Sequence, residues 1–344
     1  MRRRKPIVGV LLALFILGTA GYFAAAKVSG GRHGMWSQEQ SPTRNELNAI
    51  TCPDSRMCVA VGDTAILTTS NAGKTWRSTS EDTGPLHRVS CPSTAACFTV
   101  GWKGAILSSA DGGRTWRKES SGTTEDLTGI ACPSTTRCYA VGEQGTILTS
   151  RDGGRSWRNR SRSLDTFSAN PSCPRQEGCP ATITCPSTER CYVAGLGAGI
   201  WMSTNGGETW NLQMSDTFGN SPAGISCATQ ITCFAVGSDD VQTCEGEDAC
   251  YSTVHLILAT TNGGEAWNQQ RHAGSFTLVD VACPGTTHCS AVGDNGAILT
   301  TENGGRVWSV QRSGTTQNLL GIACPSMTSC YAVGDQGGIL TTRQ

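Results

Sequence analysis

Cys132 and Cys138 stand six positions apart, and the same spacing recurs throughout the 18 cysteines of the chain. Nine pairs result: Cys52 and Cys58, Cys91 and Cys97, Cys132 and Cys138, Cys173 and Cys179, Cys185 and Cys191, Cys227 and Cys233, Cys244 and Cys250, Cys283 and Cys289, Cys324 and Cys330. Two chemistries suit closely spaced thiols. Metal ligation normally uses cysteines two to four apart with further ligands converging from elsewhere, and neither a Cys-x-x-Cys nor a His-rich tract occurs here. Disulfide formation suits an even count in an exported chain. Residues that bracket a hairpin turn face each other across the ladder. Each pair is therefore expected to be a local staple, worth about 2 kcal/mol from loop closure. No metal and no cofactor is expected.

The remaining candidates for chemistry are carboxylates. Asp63, Glu143, Asp294 and Asp335 each follow a Val-Gly dipeptide, so a repeat would bring them to equivalent turns around one mouth of the molecule. Two such groups can act as acid and base on a glycosidic bond. Asp and Glu are also ordinary turn residues. In a further copy of this turn Trp102 and Lys103 replace the acid. No Gly-x-Ser-x-Gly elbow or phosphate loop is present, and no residue is assigned as catalytic.

A repeat of about forty residues positions these groups. Its template runs Leu-x-x-Ile-x-Cys-Pro-Ser, then Cys-Tyr-Ala-Val-Gly, then Gly-x-Ile-Leu-Thr-Thr, then Asp-Gly-Gly-x-Thr-Trp. The first cysteines of successive copies are Cys52, Cys91, Cys132, Cys185, Cys227, Cys283 and Cys324, giving seven copies. A period near forty points to a propeller or solenoid. Within one copy, Leu127 to Cys132, Cys138 to Val141 and Thr146 to Ser150 read as short strands, and Trp157 opens a fourth. The stretch from Gly142 to Gly145 suits the hairpin between the second and third strands, where positive φ is needed. The expected fold is all-β: a seven-bladed β-propeller of four-stranded antiparallel blades. The last copy stops at Gln344 before its Trp, whereas Trp36 precedes Cys52 by 16 residues, the interval from Trp116 to Cys132 and from Trp308 to Cys324. The N-terminal strand should thus complete the last blade and close the ring, leaving no blade unpaired.

Arg2, Arg3, Arg4 and Lys5 precede an uncharged apolar stretch from Ile7 to Ala26, the order of a signal or membrane-inserting segment. Residues 1–26 are read as a signal anchor or a signal peptide, 27–35 as a linker and 36–344 as the propeller, with insertions at about 161–184 and 238–253. Either form of the leader exports the propeller, anchored to the membrane if uncleaved and secreted otherwise. Without the four leader cations, 23 basic residues face 27 acidic ones, a net charge of −4. Bulk attraction to nucleic acid is therefore not expected.

The stretches Ser109 to Trp116 and Ser150 to Trp157 resemble the Asp-box, or bacterial neuraminidase repeat, as do Thr69 to Trp76, Ser203 to Trp210, Thr260 to Trp267 and Thr301 to Trp308. With the Val-Gly-x-x-Gly-x-Ile-Leu strand before each, the chain is similar to the photosystem II stability and assembly factor family of propellers over nearly all of residues 36 to 344. That resemblance implies architecture rather than activity. Asn replaces Asp at Asn71, Asn205, Asn262 and Asn303, which a turn tolerates and a catalytic acid would not. The sialidases that share the box carry a Phe/Tyr-Arg-Ile-Pro segment and a nucleophilic Tyr. The segment is absent, and Tyr139, Tyr192 and Tyr331 occupy one repeat position filled elsewhere by Val59, Phe98, Phe234 and Ser290.

Strand alternation puts the disulfide turn and the box on one face, and the hairpin after the second strand and the connection between blades on the other. Both insertions are expected on the second face, each pinned by its own cysteine pair. Cys173 also lies 16 residues after Trp157, a spacing that would start the first insertion later and move it across. The second insertion is acidic. Trp102, Lys103, Asp239, Asp240, Glu245 and Tyr251 are the candidate binding residues of this face. The cations Arg151, Arg155, Arg158, Arg160 and Arg162 read as a solvated outer edge. The expected function is that of an extracytoplasmic, non-enzymatic, monomeric binding or assembly propeller that recognises a protein or cell-envelope polymer. A secreted glycoside hydrolase is the alternative.

Overall fold

The computed structural model describes residues 35–160, 182–195, 199–214, 221–242, 251–270 and 276–342. They form seven four-stranded antiparallel sheets, six of which run from an inner to an outer strand in chain order. Blade three shows the unit: Leu127–Ala131, Cys138–Gly142, Thr146–Ser150 and Arg158–Asn159. The seventh sheet is composite. Its inner three strands are Leu319–Ser326, Ser329–Gly334 and Ile339–Thr342, and its outer strand is Trp36–Gln38 from the other end of the chain. Trp36 pairs with Thr342 and Gln38 with Leu340, so the expected closure holds.

The second strand of most blades is buried at every position, as in Cys58–Gly62 and Cys289–Gly293. It lies mid-sheet with a neighbouring blade on each face, which is why Cys-x-Ala-Val-Gly reads as a continuous apolar run instead of an alternation. The core accordingly sits between blades. Val59, Val61 and Ile66 of blade one pack with Leu86, Val89 and Leu107 of blade two, and the pattern repeats around the ring. Tryptophans of the turn before the outer strand reach back to the preceding blade: Trp76 meets Tyr331, Trp267 meets Tyr192 and Trp308 meets Phe234, edge to face with centroids 6.5, 6.4 and 6.1 Å apart. Such a pair adds about 0.5–1.5 kcal/mol beyond area burial.

Seven of the nine expected disulfides are formed, one per blade, from Cys52–Cys58 to Cys324–Cys330. In blade five Cys227 and Cys233 stand directly opposite in the ladder. The pairs Cys173–Cys179 and Cys244–Cys250, and the leader at 1–26, lie outside the described residues.

Blade five is drawn out. Its second and third strands, Cys233–Gln242 and Tyr251–Thr260, have ten residues each where other blades have four to six. Asp239 pairs with Val254 and Asp240 with Thr253, so both ends of the 238–253 stretch belong to one extended hairpin. Of the 161–184 stretch, Thr182–Thr184 is the inner strand of blade four, and 161–181 lies outside the described residues.

Candidate functional site

Backbone hydrogen bonds sort the turns into two faces. On one, the turn before the outer strand donates to the disulfide turn of the same blade: Gly112 N to Ala95 O at 2.8 Å, Gly153 N to Thr136 O at 3.0 Å, Gly206 N to Glu189 O at 2.9 Å. On the other, the hairpin after the second strand donates to the connector entering the inner strand: Trp102 N to Pro85 O at 2.9 Å, Glu143 N to Asp126 O at 2.9 Å, Asp335 N to Asn318 O at 3.1 Å. The hairpin and interblade connector therefore share a face, as expected. Within the hairpin of blade three only one of the two glycines has positive φ. Gly142 is extended at φ −168°, and the left-handed positions are Gln144 and Gly145.

Lys103 holds the position of Gln144 in blade two, at φ 51°. Its N–H donates to Asp126 Oδ1 of the next blade's connector at 2.6 Å, which fixes the tip. The Lys103 ammonium lies 3.9 Å above the centroid of the Trp102 ring, a cation–π contact. Trp102 rests against Gly84, where a β-carbon would come within 2.6 Å of the ring. All nine tryptophans of the chain are described, and Trp102, at 42%, is the one that is exposed. The pair borders an open cleft of about 790 Å³ between blades two and three, floored by Ser121, Gly122 and Thr123. A cleft of about 820 Å³ between blades six and seven has the same floor in Ser313, Gly314 and Thr315 but an Asp294-Asn295 tip. The predicted residues Trp102 and Lys103 thus form one patch.

Asp239, Asp240 and Tyr251 lie on the drawn-out hairpin of blade five; Glu245 lies outside the described residues. No observation joins these four to the Trp102 patch.

The rim carboxylates come together in part. Asp63 of blade one and Asp335 of blade seven both act on Glu46, whose pKa is raised, first by burial of its carboxylate and then by these like charges. Sequence reading missed Glu46, because the connector position it fills holds Pro85 in blade two and Asn318 in blade seven. His87, on the inner strand of blade two, is held below the usual imidazole range by burial, against the opposing pull of Asp126. The inner strands also place Arg88 and Asp280 in the channel wall. Arg88 Nη1 donates to Asn48 O at 3.0 Å, and Asp280 Oδ2 accepts from Ile322 N at 3.0 Å. Burial raises the Asp280 pKa, while Arg88 lowers it. Both charges stitch neighbouring blades. Among the described residues no group of three His, Cys, Asp or Glu could hold a metal ion.

On the opposite face the side chains that resemble acid sites are spent on turns. Ser109 Oγ donates to Asp111 Oδ1 at 2.9 Å, Gly113 N donates to Ser109 Oγ at 2.8 Å, and Thr115 donates through N–H and hydroxyl to Asp111 at 2.9 and 2.7 Å. These bonds, the Thr115 hydroxyl first, lower the Asp111 pKa to about 2, and Ser156 does the same for Asp152. Asn71 and Asn205 keep the cage by donating Nδ2 to Thr75 and Thr209 at 2.9 and 2.8 Å. Of the arginine cluster, Arg151 and Arg160 both bridge to Glu208 of blade four, at 2.5 and 3.0 Å. Those two hold an interblade contact, and Arg162 lies outside the described residues.

Comparison with known proteins agrees with this architecture. A structure of YCF48 bound to D1 peptide superposes with a TM-score of 0.67 at 16% identity, covering 91% of this chain and 98% of that one. YCF48 from Cyanidioschyzon merolae gives 0.67 at 17% identity, covering 90% and 98%. A GH74 xyloglucanase from Xanthomonas campestris also gives 0.67, at 12% identity, covering 90% of this chain and 54% of that one. At such identities the likeness carries the fold alone. No curated protein matches the chain. The model of the DUF6242 beta propeller domain matches residues 32–217, more than half of the sequence, and the chain belongs to that family.

Proposed function

We propose that this is an exported, non-enzymatic, monomeric binding propeller that captures a protein or cell-envelope polymer on its hairpin face, with Trp102 and Lys103 as the anchor. The observation that carries this reading is the exposure of Trp102 at 42% beside an open cleft lined by Ser121, Gly122 and Thr123. Tryptophan is among the residue types most enriched at interface hot spots. Seven disulfides fit an oxidising compartment, so residues 1–26 are taken as the export signal or anchor. Asp239, Asp240, Glu245 and Tyr251 are proposed as further partner contacts from blade five. The hydroxyl and carboxylate cages around Asp111 and Asp152 support reading those turns as Asp-boxes with a structural role. The YCF48 structure that holds a D1 peptide supports a polypeptide partner by analogy of fold.

A second reading draws on Glu46. A carboxyl with a raised pKa beside Asp63 and Asp335 has the composition of an acid and base pair, and GH74 enzymes share the fold. One experiment separates the two. Proximity labelling and pull-down from the cell envelope with wild type and Trp102→Ala, both checked for an unchanged Tm, should recover a partner that only wild type retains. Turnover of an envelope glycan that disappears in Glu46→Gln or Asp63→Asn would overturn the binding reading in favour of the hydrolase.

A further inference from the structure

One interblade contact differs from the rest. The residue after the second-strand cysteine is Val59, Phe98, Tyr139, Tyr192, Phe234 or Tyr331 in six blades and Ser290 in blade six. In blades one to four the next blade's glycine turn closes on this side chain. A β-carbon at Gly154 would lie 2.6 Å from Phe98 Cε1, and one at Gly207 3.1 Å from Tyr139 Cε1. Two of the tyrosines also reach the next blade's disulfide turn, both at the third residue after its first cysteine. Tyr139 donates its hydroxyl to Thr188 O and Tyr192 to Gln230 O, at 2.5 and 3.0 Å.

At blade six nothing among the described residues takes this place. Ser290 is too short, and Trp36 and Thr342 are paired across strands instead of being joined by a glycine turn. What remains is a partly open cavity of about 140 Å³ bounded by Trp36, Ser290, Met327 and Thr342, with Glu302 and Gln311 also in its lining. One benzene ring needs a cavity of about 150 Å³, so the volume suits a single ring, and the polar lining suits a ring that carries a hydroxyl. The third residue after Cys324 is Met327, whose carbonyl thus corresponds to the acceptors used by Tyr139 and Tyr192. Met327 itself is 61% exposed and forms the rim.

We infer that this cavity is a binding site for one phenol ring, taken up in place of the missing tyrosine side chain with its hydroxyl donated to the Met327 carbonyl. The site lies on the disulfide-turn face, opposite the Trp102 patch, and stands or falls independently of that patch.

The test uses the exported protein with ¹³C-methyl methionine and reads the Met327 methyl by NMR, where a ring bound beneath it imposes an upfield shift. Titration with p-cresol should move that signal saturably, and toluene should bind about threefold to tenfold more weakly for want of one hydrogen bond. N-acetyltyrosinamide is the second arm. If it also shifts Met327 the site admits a tyrosine on a polypeptide, and if only p-cresol does the ligand is a free small phenol. Ser290→Tyr should fill the cavity, raise Tm by several degrees and abolish the response; Ser290→Val, which copies Val59 of blade one, serves if the larger residue does not fold. No Met327 shift up to the solubility of p-cresol would overturn the inference. So would a Met327 signal already ring-shifted and unresponsive in wild type, which would mean that the chain fills the cavity itself, or a response undiminished in both variants.

Discussion

If aromatic side chains between blades are what hold the ring, emptying one should reproduce the blade-six cavity at a known cost. Phe234 is 1% exposed and packs edge to face on Trp308, 6.1 Å away at 77°. Its neighbours Val236, Ile257 and Ala259 on one side and Leu278, Val281 and Leu299 on the other belong to two rigid sheets, so collapse into the gap should be slight. Phe234→Ala is therefore expected near the ordinary cost of a buried Phe truncation, about 3–5 kcal/mol. For a domain of this size each kcal/mol lowers Tm by about 2–4 °C, so calorimetry should show a fall of about 6–20 °C. Toluene should then give part of this back, because a ligand at ten times its Kd restores about 1.4 kcal/mol, or about 3–5 °C. The experiment belongs in a Ser290→Tyr background, where the native cavity does not contribute. A loss under about 1 kcal/mol, or no recovery with toluene, would refute the claim that these aromatics carry the interblade contact.

Two further outcomes follow from the turns. Gly145 and Gly154 both take positive φ, 70° and 78°, but an added β-carbon meets nothing within 4 Å at Gly145 and the Phe98 ring at 2.6 Å at Gly154. Gly145→Ala should cost about 1–2 kcal/mol from the backbone alone and Gly154→Ala a further 1–3 from overpacking; equal losses in urea unfolding would contradict this. Asp111 and Asp152 have pKa values lowered to about 2 from 3.8, so the folded state binds fewer protons than the unfolded chain at these sites. Their contribution is complete above pH 3.8 and is lost as pH falls through about 2. The double change Asp111→Asn with Asp152→Asn, which copies the caging residue of Asn71 and Asn205, should leave stability at pH 7 nearly unaltered and flatten its decline between pH 4 and 2. A decline as steep as wild type would show that the cages do not set the acid limb. Both carboxylates are exposed, so added salt should shrink the difference.

Much of the architecture was legible because its signals are local and repeated. The Cys-x-x-x-x-x-Cys spacing specifies a staple in each of the seven repeats, and the Trp-to-Cys interval identified Trp36–Gln38 as the missing outer strand. Trp102 stood out as a break in a repeat column. The two glycines of the hairpin look alike in the sequence but serve different ends. Gly145 supplies positive φ, whereas a β-carbon at Gly142 would strike Asp126 O at 2.1 Å. Close approach of the connector, and not φ, demands the first of them.

By itself the sequence determined the number of blades, the strands within each, the ring closure and the compartment-dependent staples, since each depends on residues a few positions apart or on a period that can be counted. Only the tertiary structure decided which distant residues share a site. Glu46, Asp63 and Asp335 meet because blade seven closes on blade one, and Arg88 and Asp280 act on each other because both line one channel. Ser290 is visible in the sequence as a gap in an aromatic column. That the gap is a cavity depends on Trp36, Met327 and Thr342, which only folding brings around it.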